Sequence, residues 1–370
     1  MDVIANEPPN SRKSDRGSRA VAGASVRSVV RLKGRENRLT DWANVERFCA
    51  EGQREIRARE ARRGRYLSVY SRSMMPASHV LAALYKASHP KTPWTAEFSD
   101  PLLVDTRGER RTAPAEGDAA DTLRDELDRR GFAAPGVGEM FELVEAAVYA
   151  MADTIIFTNE LQRDLMLDHV ASPELRERAR RIAVVSPHPQ PDPELYFAAP
   201  VEAGFFPDVV NVGYFGVFFG IRSIASLVSP LAALDESERA RVRLYLYVPK
   251  PVPVRRQVAE LGLDDCVEVA GFVPYLEFLN LATQFDWLVV ADSAATEHHG
   301  VNPYLPSKLS DYLGSGTPVW AMVEAGSPMS RWPGITTTPV GDVEAATEQL
   351  RQMIAKKGTT ASESQQGPTG

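Results

Sequence analysis

Residues Val301–Val319 read VNPYLPSKLSDYLGSGTPV. Ser307 follows Pro306 and suits a helix N-cap, because its hydroxyl can accept from an unpaired N–H of the first turn. Leu309, Tyr312 and Leu313 then share one helical face. Gly314 and Gly316 stop the helix, and Pro318 prevents its return. The stretch therefore predicts a short helix that starts at Ser307 and Lys308, followed by a strand from Val319. A helix start offers unpaired N–H groups and the positive end of the dipole, which suits phosphate. Lys308 adds a full charge there, and Asp311, one turn on, can accept from hydroxyl groups. An ordinary capped helix with a surface Lys–Asp pair fits the same residues.

Around this segment, short apolar runs alternate with helical patterns. Strands are expected at Tyr66–Tyr70, Trp94–Phe98, Thr154–Thr158, Arg181–Ser186, Val209–Phe215, Leu244–Val248, Val267–Ala270, Trp287–Ala291 and Val319–Val323. Helices are expected over Trp42–Arg62, Ala77–Ser88, Asp121–Arg130, Gly138–Met151, 160–169, Ser223–Leu234, Val252–Leu261, Pro274–Phe285 and Val343–Lys356. Asn159 caps the helix over 160–169, with Gln162 placed to close a capping box. Pro230 should kink or shorten its helix. Strand–helix–strand alternation means α/β units with parallel, helix-covered sheets. Leu102–Gly117 reads as a mobile loop, and Pro187–Asp208, dense in proline, as an interdomain linker.

The chain has 370 residues, which makes two domains the default. Two cysteines, Cys49 and Cys266, make neither a disulfide framework nor a zinc site. No apolar run is long enough for a transmembrane helix, and the first twenty residues lack a signal-peptide core. The expected setting is cytoplasmic. The net charge of −7 is uneven: residues 1–65 carry 16 Lys/Arg against 9 Asp/Glu, a net of +7, which leaves −14 on the rest. A basic leader suits nucleic acid or an anionic membrane surface, such as the inner face of a cell membrane; a solvated arm is the plainer alternative. The resulting division is a basic disordered leader over 1–41, an N-terminal Rossmann-like domain with its linker over 42–200, a C-terminal Rossmann-like domain over 201–357, and a disordered tail over 358–370.

Two stretches carry candidate chemistry. Gly213–Arg222 (GYFGVFFGIR) is a strand end, a glycine turn and a helix start, the place where open α/β sheets bind nucleotides. A tight strand–helix turn explains it equally well. Arg222 favours phosphate, since a guanidinium can hold a diphosphate through two oxygens. The second is Ser307, Lys308 and Asp311. If both turns lie at the carboxyl ends of strands in one sheet, Arg222 and Lys308 converge on one anion. Elsewhere, Asp100 before Pro101 suits an Asx turn as well as a ligand contact. Glu142 and Glu145 read as a solvated helix face, and His188, between prolines, as structural.

From about Tyr66 to Lys356 the chain resembles a GT-B-fold glycosyltransferase, most like the family-4 retaining group. The resemblance rests on Val144–Glu145 with Ala152–Asn159, on Arg181–Ser186 with Asp192 and Phe197, on Gly213–Arg222, on Gly271–Tyr275 and on Pro306–Val319. It implies two Rossmann-like domains facing a cleft, in which a nucleotide-diphospho-sugar meets a saccharide, lipid-linked or protein acceptor. Arg222 and Lys308 would hold the donor diphosphate, and Gly216, Gly220, Ser307 and Leu309 would line its phosphates. Phe272 and Val273 would flank the base. Asp311 stands where the family has Glu, against the ribose hydroxyls. The donor-sugar acid has no clean match within Asp292–Asn302; Glu297 is the candidate, with His298 or His299 outside it. Asp100 lies on the acceptor-facing loop. No Asp-x-Asp sequence is present, so no metal is expected, and no cofactor beyond the donor. The family's early strand and glycine loop are not evident before Tyr66, so a reduced N-terminal domain is expected. Alternatives are a nucleotide-sugar epimerase, for which no acid/base cluster is visible, a non-catalytic nucleotide-sugar-binding scaffold, and a nucleic-acid-directed enzyme, for which the leader lacks stacking aromatics.

Overall fold

The computed structural model describes residues 1–7, 21–34, 38–72, 75–218 and 224–365, the last seven of these by backbone only. They form two compact units. One comprises the N-terminal strand and residues 22–187, the other residues 188–370.

The sequence reads residues 1–41 as a largely disordered leader with one short strand at Ser25–Leu32; the N-terminal unit instead opens with two parallel strands, β1 (Asp2–Glu7) and β2 (Ser28–Lys33). Asp2 explains the order. Its side chain accepts from Ser28 and Tyr66 and pairs with Arg27, Arg59 and Arg63. The Arg27 guanidinium holds the Asp2 carboxyl well below the usual carboxylate range. Thus part of the basic excess is spent on one buried acid.

Helix α1 (Trp42–Arg63) follows, capped by Asp41, and buries Trp42, Val45, Phe48 and Cys49. Then come β3 (Val69–Arg72), α2 (Pro76–Ser88), β4 (Trp94–Phe98), α3 (Asp118–Arg129), α4 (Met140–Met151), β5 (Thr154–Phe157), α5 (Glu160–Asp168), α6 (Pro173–Arg181) and β6 (Ala183–Val185). The four strands pair in parallel in the order β3-β4-β5-β6. The Asn159 cap forms as expected, with Gln162 N–H donating at 2.9 Å. The Gln162 amide does not close the box. Its Oε1 accepts from the Thr158 N–H and hydroxyl, and its Nε2 donates to the Phe98 carbonyl.

Two expectations are corrected here. Residues 102–117 are not a mobile loop: Leu102, Leu103, Val104, Ala113 and Ala115 lie in the core. Glu145 anchors them. It is buried, not solvated, and accepts from Leu102 N–H (3.0 Å), Leu103 N–H (2.8 Å) and Tyr149 Oη (3.0 Å). Burial pushes its carboxyl up to about 7 against those donors. Glu142, by contrast, pairs with Arg110 at the surface.

His79 on α2 is also buried. Its Nδ1 lies 2.8 Å from Ser71 Oγ, which accepts from Trp94 Nε1 at 2.9 Å. Burial lowers its pKa from 6.5 to about 4. The unfolded chain takes up this proton near pH 6.5 and the folded chain does not, so stability falls as pH drops through that window. We expect the stability advantage of wild type over His79→Gln to shrink by about 3 kcal/mol between pH 7 and pH 4 in urea titrations. A pH-independent difference would show that His79 is not held neutral.

The C-terminal unit starts earlier than the proline-rich stretch suggested, at 188 and not 201. Tyr196 is the reason: it is buried, its carbonyl accepts from Asn280 Nδ2 and its hydroxyl donates to the Asp311 carbonyl. The elements are β7 (Val210–Phe215), α7 (Ala225–Ala232), α8 (Glu236–Arg239), β8 (Val242–Tyr247), α9 (Pro251–Glu260), β9 (Val267–Ala270), α10 (Tyr275–Ala282), β10 (Trp287–Ala291), α11 (Thr296–His299), α12 (Lys308–Gly314), β11 (Val319–Val323), β12 (Thr336–Pro339) and α13 (Val343–Gln365). Pro230 lies inside α7, which ends two residues later. Helix α13 extends into the stretch assigned to a disordered tail.

All six strands are parallel, in the order β12-β11-β10-β7-β8-β9. Every residue of β7 is buried, as a strand covered on both faces requires. From β7 the chain winds outward through β8 and β9, then returns to β10 on the other side. The strand order reverses between β7 and β10, and ligands of open α/β sheets bind beyond the carboxyl ends of strands at such a point.

Candidate functional site

The turn after β7, the loop after β10 and helix α12 meet at this switch point. Tyr312, fully buried on α12, accepts from the Phe215 N–H at 3.0 Å and so ties α12 to the end of β7. Ser310 donates to the His188 carbonyl at 2.7 Å, and Tyr196 to the Asp311 carbonyl at 2.5 Å. These bonds fix how Lys308 is presented. A Cβ placed on Gly216 would lie 3.0 Å from Lys308 Cε and 2.7 Å from Tyr214 Oη. Gly216 therefore leaves the room through which the lysine stem passes. Gly213 serves packing, since its Cβ would sit 2.8 Å from the Phe285 ring.

Of the residues expected to line phosphates, several are otherwise employed. The Gly216 N–H donates to the Tyr247 carbonyl (3.0 Å) and the Leu309 N–H to the Pro306 carbonyl (3.0 Å). Ser307 does not cap α12 through its side chain: its backbone is already helical, which turns the hydroxyl away from the first-turn amides. Gly220 and Arg222 lie outside the described residues.

Asp311 is half-buried, and its Oδ1 accepts from Tyr275 Oη at 2.8 Å. Burial raises its pKa, against the Tyr275 hydroxyl and the Lys308 charge. Tyr275 opens α10, directly after the loop that carries Phe272, which is 51% exposed, and the partly buried Val273. That loop follows β9 and so shares the sheet edge with Gly216 and Asp292.

In the β10 loop, Asp292 is buried and its Oδ2 accepts the Glu324 N–H at 3.0 Å. Glu297 and His298 are exposed on α11, and His299 stacks edge-on against Tyr304 at 5.8 Å. Glu324, the first residue after β11, was absent from the sequence reading. Its side chain accepts several hydrogen bonds, all from partners far away in sequence. Asp100 follows β4 at the carboxyl edge of the other unit's sheet. Among the described residues no group of His, Cys, Asp and Glu could hold a metal ion, and no helix is long and apolar enough to cross a membrane.

No protein-family model and no curated protein matches the chain. Solved structures do. Sucrose-phosphate synthase from Thermosynechococcus elongatus is similar over 97% of this chain and 90% of its own, with 14% identity and a TM-score of 0.58. WaaG, a glycosyltransferase involved in lipopolysaccharide biosynthesis, is similar over 96% and 90%, with 14% identity and a TM-score of 0.53. A glycosyltransferase from Rickettsia africae is similar over 97% and 91%, with 11% identity and a TM-score of 0.53. At such identities the likeness shows architecture, and the architecture of this chain is the GT-B fold.

Proposed function

We propose that the chain is a glycosyltransferase that moves a sugar from a nucleotide-diphospho-sugar to an acceptor, with retention of configuration and without an obligatory metal ion. The observation that carries this reading is Lys308 laid against Gly216 at the β7/β10 switch point. A lysine ammonium there can neutralise the charge that develops on a departing diphosphate. Arg222, by its place in the sequence, is the second cation. Phe272 and Val273 would flank the base. Asp311 would meet the ribose hydroxyls with a carboxylate already oriented by Tyr275, which suits its shorter side chain. Glu297 would face the donor sugar, and Asp100 the acceptor.

The test is thermal stabilisation of the purified protein by UDP, GDP, ADP and TDP. A diphosphate at about 100 times its dissociation constant should add about 2.7 kcal/mol. One of the four is expected to stabilise wild type but neither Arg222→Ala nor Lys308→Ala. If none does so, the donor reading fails and a protein that keeps the fold without the ligand takes its place.

A further inference from the structure

Glu324 closes a loop that the nucleotide-sugar reading leaves without a recognised support. Its carboxylate Oε2 accepts from the Ala295 N–H at 3.0 Å, the Thr296 N–H at 3.1 Å, the Thr296 hydroxyl at 2.9 Å and Asn302 Nδ2 at 2.9 Å. Its backbone N–H donates to Asp292 Oδ2. Buried Asn302 continues the network, donating to the Ser293 carbonyl (2.8 Å) and accepting from the Tyr304 N–H (3.0 Å). One side chain thus holds both feet of a short arch, residues 295–296 and residue 302. Between them stand Glu297, His298, Gly300 and Val301, all exposed, with Gly300 turning the chain at φ 73°. Hydrogen bonds to a carboxylate are about twice as strong as neutral ones, so Glu324 is a strong tie on the arch.

The supports of Lys308 are separate. Helix α12 is held by Tyr312 to Phe215, Ser310 to His188 and Tyr196 to Asp311, none of which passes through Glu324. We infer that Glu324 is a positioning residue: it holds the 297–301 arch against the sugar of the donor, while the diphosphate is held independently by Lys308. Four donors lie on Oε2, and Oε1 is 3.3 Å from the Thr296 N–H, so the carboxylate is turned toward the arch. The inference rests on the nucleotide-sugar reading above.

Separate anchoring predicts separable losses. Wild type, Glu324→Ala and Glu324→Gln would be titrated calorimetrically with UDP and GDP, and with UDP-glucose, UDP-N-acetylglucosamine and GDP-mannose. Hydrogen exchange of the 293–302 amides would be followed in each protein. We expect Glu324→Ala to bind the diphosphate within twofold of wild type, to bind the sugar-bearing donor at least tenfold more weakly, and to lose protection across 293–302. Glu324→Gln should recover part of both, because its amide oxygen still accepts from Ala295 and Thr296. Equal weakening of diphosphate and donor would overturn the inference in favour of general support, and unchanged donor affinity or unchanged exchange would overturn it outright. A wild-type protein that binds no diphosphate overturns the nucleotide-sugar reading instead, and the role of Glu324 with it.

Discussion

Replacing Lys308 by alanine is expected to lower sugar transfer by about a hundredfold or more, the scale seen when one preorganised electrostatic stabiliser is removed from an active site. The argument is geometric. The backbone of Lys308 is fixed: α12 is bonded to the end of β7 through Tyr312, and the lysine stem passes over the space that Gly216 leaves open. An ammonium held there needs no reorganisation when charge builds on a leaving diphosphate. Its loss should therefore appear in kcat as well as in kcat/KM, since the interaction strengthens as the bond breaks. Lys308→Met keeps the stem and removes the charge, and should behave like the alanine variant. Turnover by either variant at the wild-type rate would remove Lys308 from the mechanism.

Asp153→Ala is expected to cost the N-terminal unit about 3 kcal/mol of unfolding free energy, because it leaves a buried ammonium without its counter-ion. Lys86 Nζ lies 2.7 Å from Asp153 Oδ2 and 2.9 Å from the Thr92 carbonyl, with a lysine side chain only 7% exposed. The same Asp153 oxygen accepts from the Trp94 N–H at 2.7 Å, at the first residue of β4. Asp153 is itself 48% exposed, so solvent screens part of the attraction, and the figure sits at the lower end for broken buried pairs. Asp153→Asn keeps an acceptor and should cost less than half as much. A loss below about 1 kcal/mol for the alanine variant in urea unfolding would mean that the Lys86 ammonium reaches water once released. Asp153 belongs to a segment that suggested the family resemblance, and its bonds give that segment a folding role in this chain.

The strands Trp94–Phe98, Val267–Ala270, Trp287–Ala291 and Val319–Val323 were legible to the residue. Trp287–Ala291 and Val319–Val323 are continuous apolar runs, which a parallel strand covered on both faces requires, and Trp94–Phe98 and Val267–Ala270 keep apolar residues around a single Glu each. The short helix after Pro306 was legible from its apolar spacing and its glycine stop. Strands β1 and β12 were not, since DVIANE and TTTP alternate weakly and their residues are largely half-buried or exposed. Helix α6, PELRERARR, has too few apolar residues to show a face. The burial of Glu145 was missed for a related reason: its acceptors' partners, Leu102 and Leu103, lie more than forty residues away.

The sequence by itself determined the α/β class, most of the strand positions, and the presence of a glycine turn and of a Ser-Lys helix start, because these follow from local periodicity, glycine and proline. Only the tertiary structure decided which strand neighbours which, and hence that Gly216, Lys308 and the 292–302 loop share one sheet edge at the reversal between β7 and β10. It also decided the partners of the charged groups: Tyr275 on Asp311, Lys86 on Asp153, and Glu324 on Ala295, Thr296 and Asn302. Those pairings span 22 to 67 residues of chain. Hydrogen bonds and charges act through space, and no local pattern records which distant donor folding will bring to a buried carboxylate.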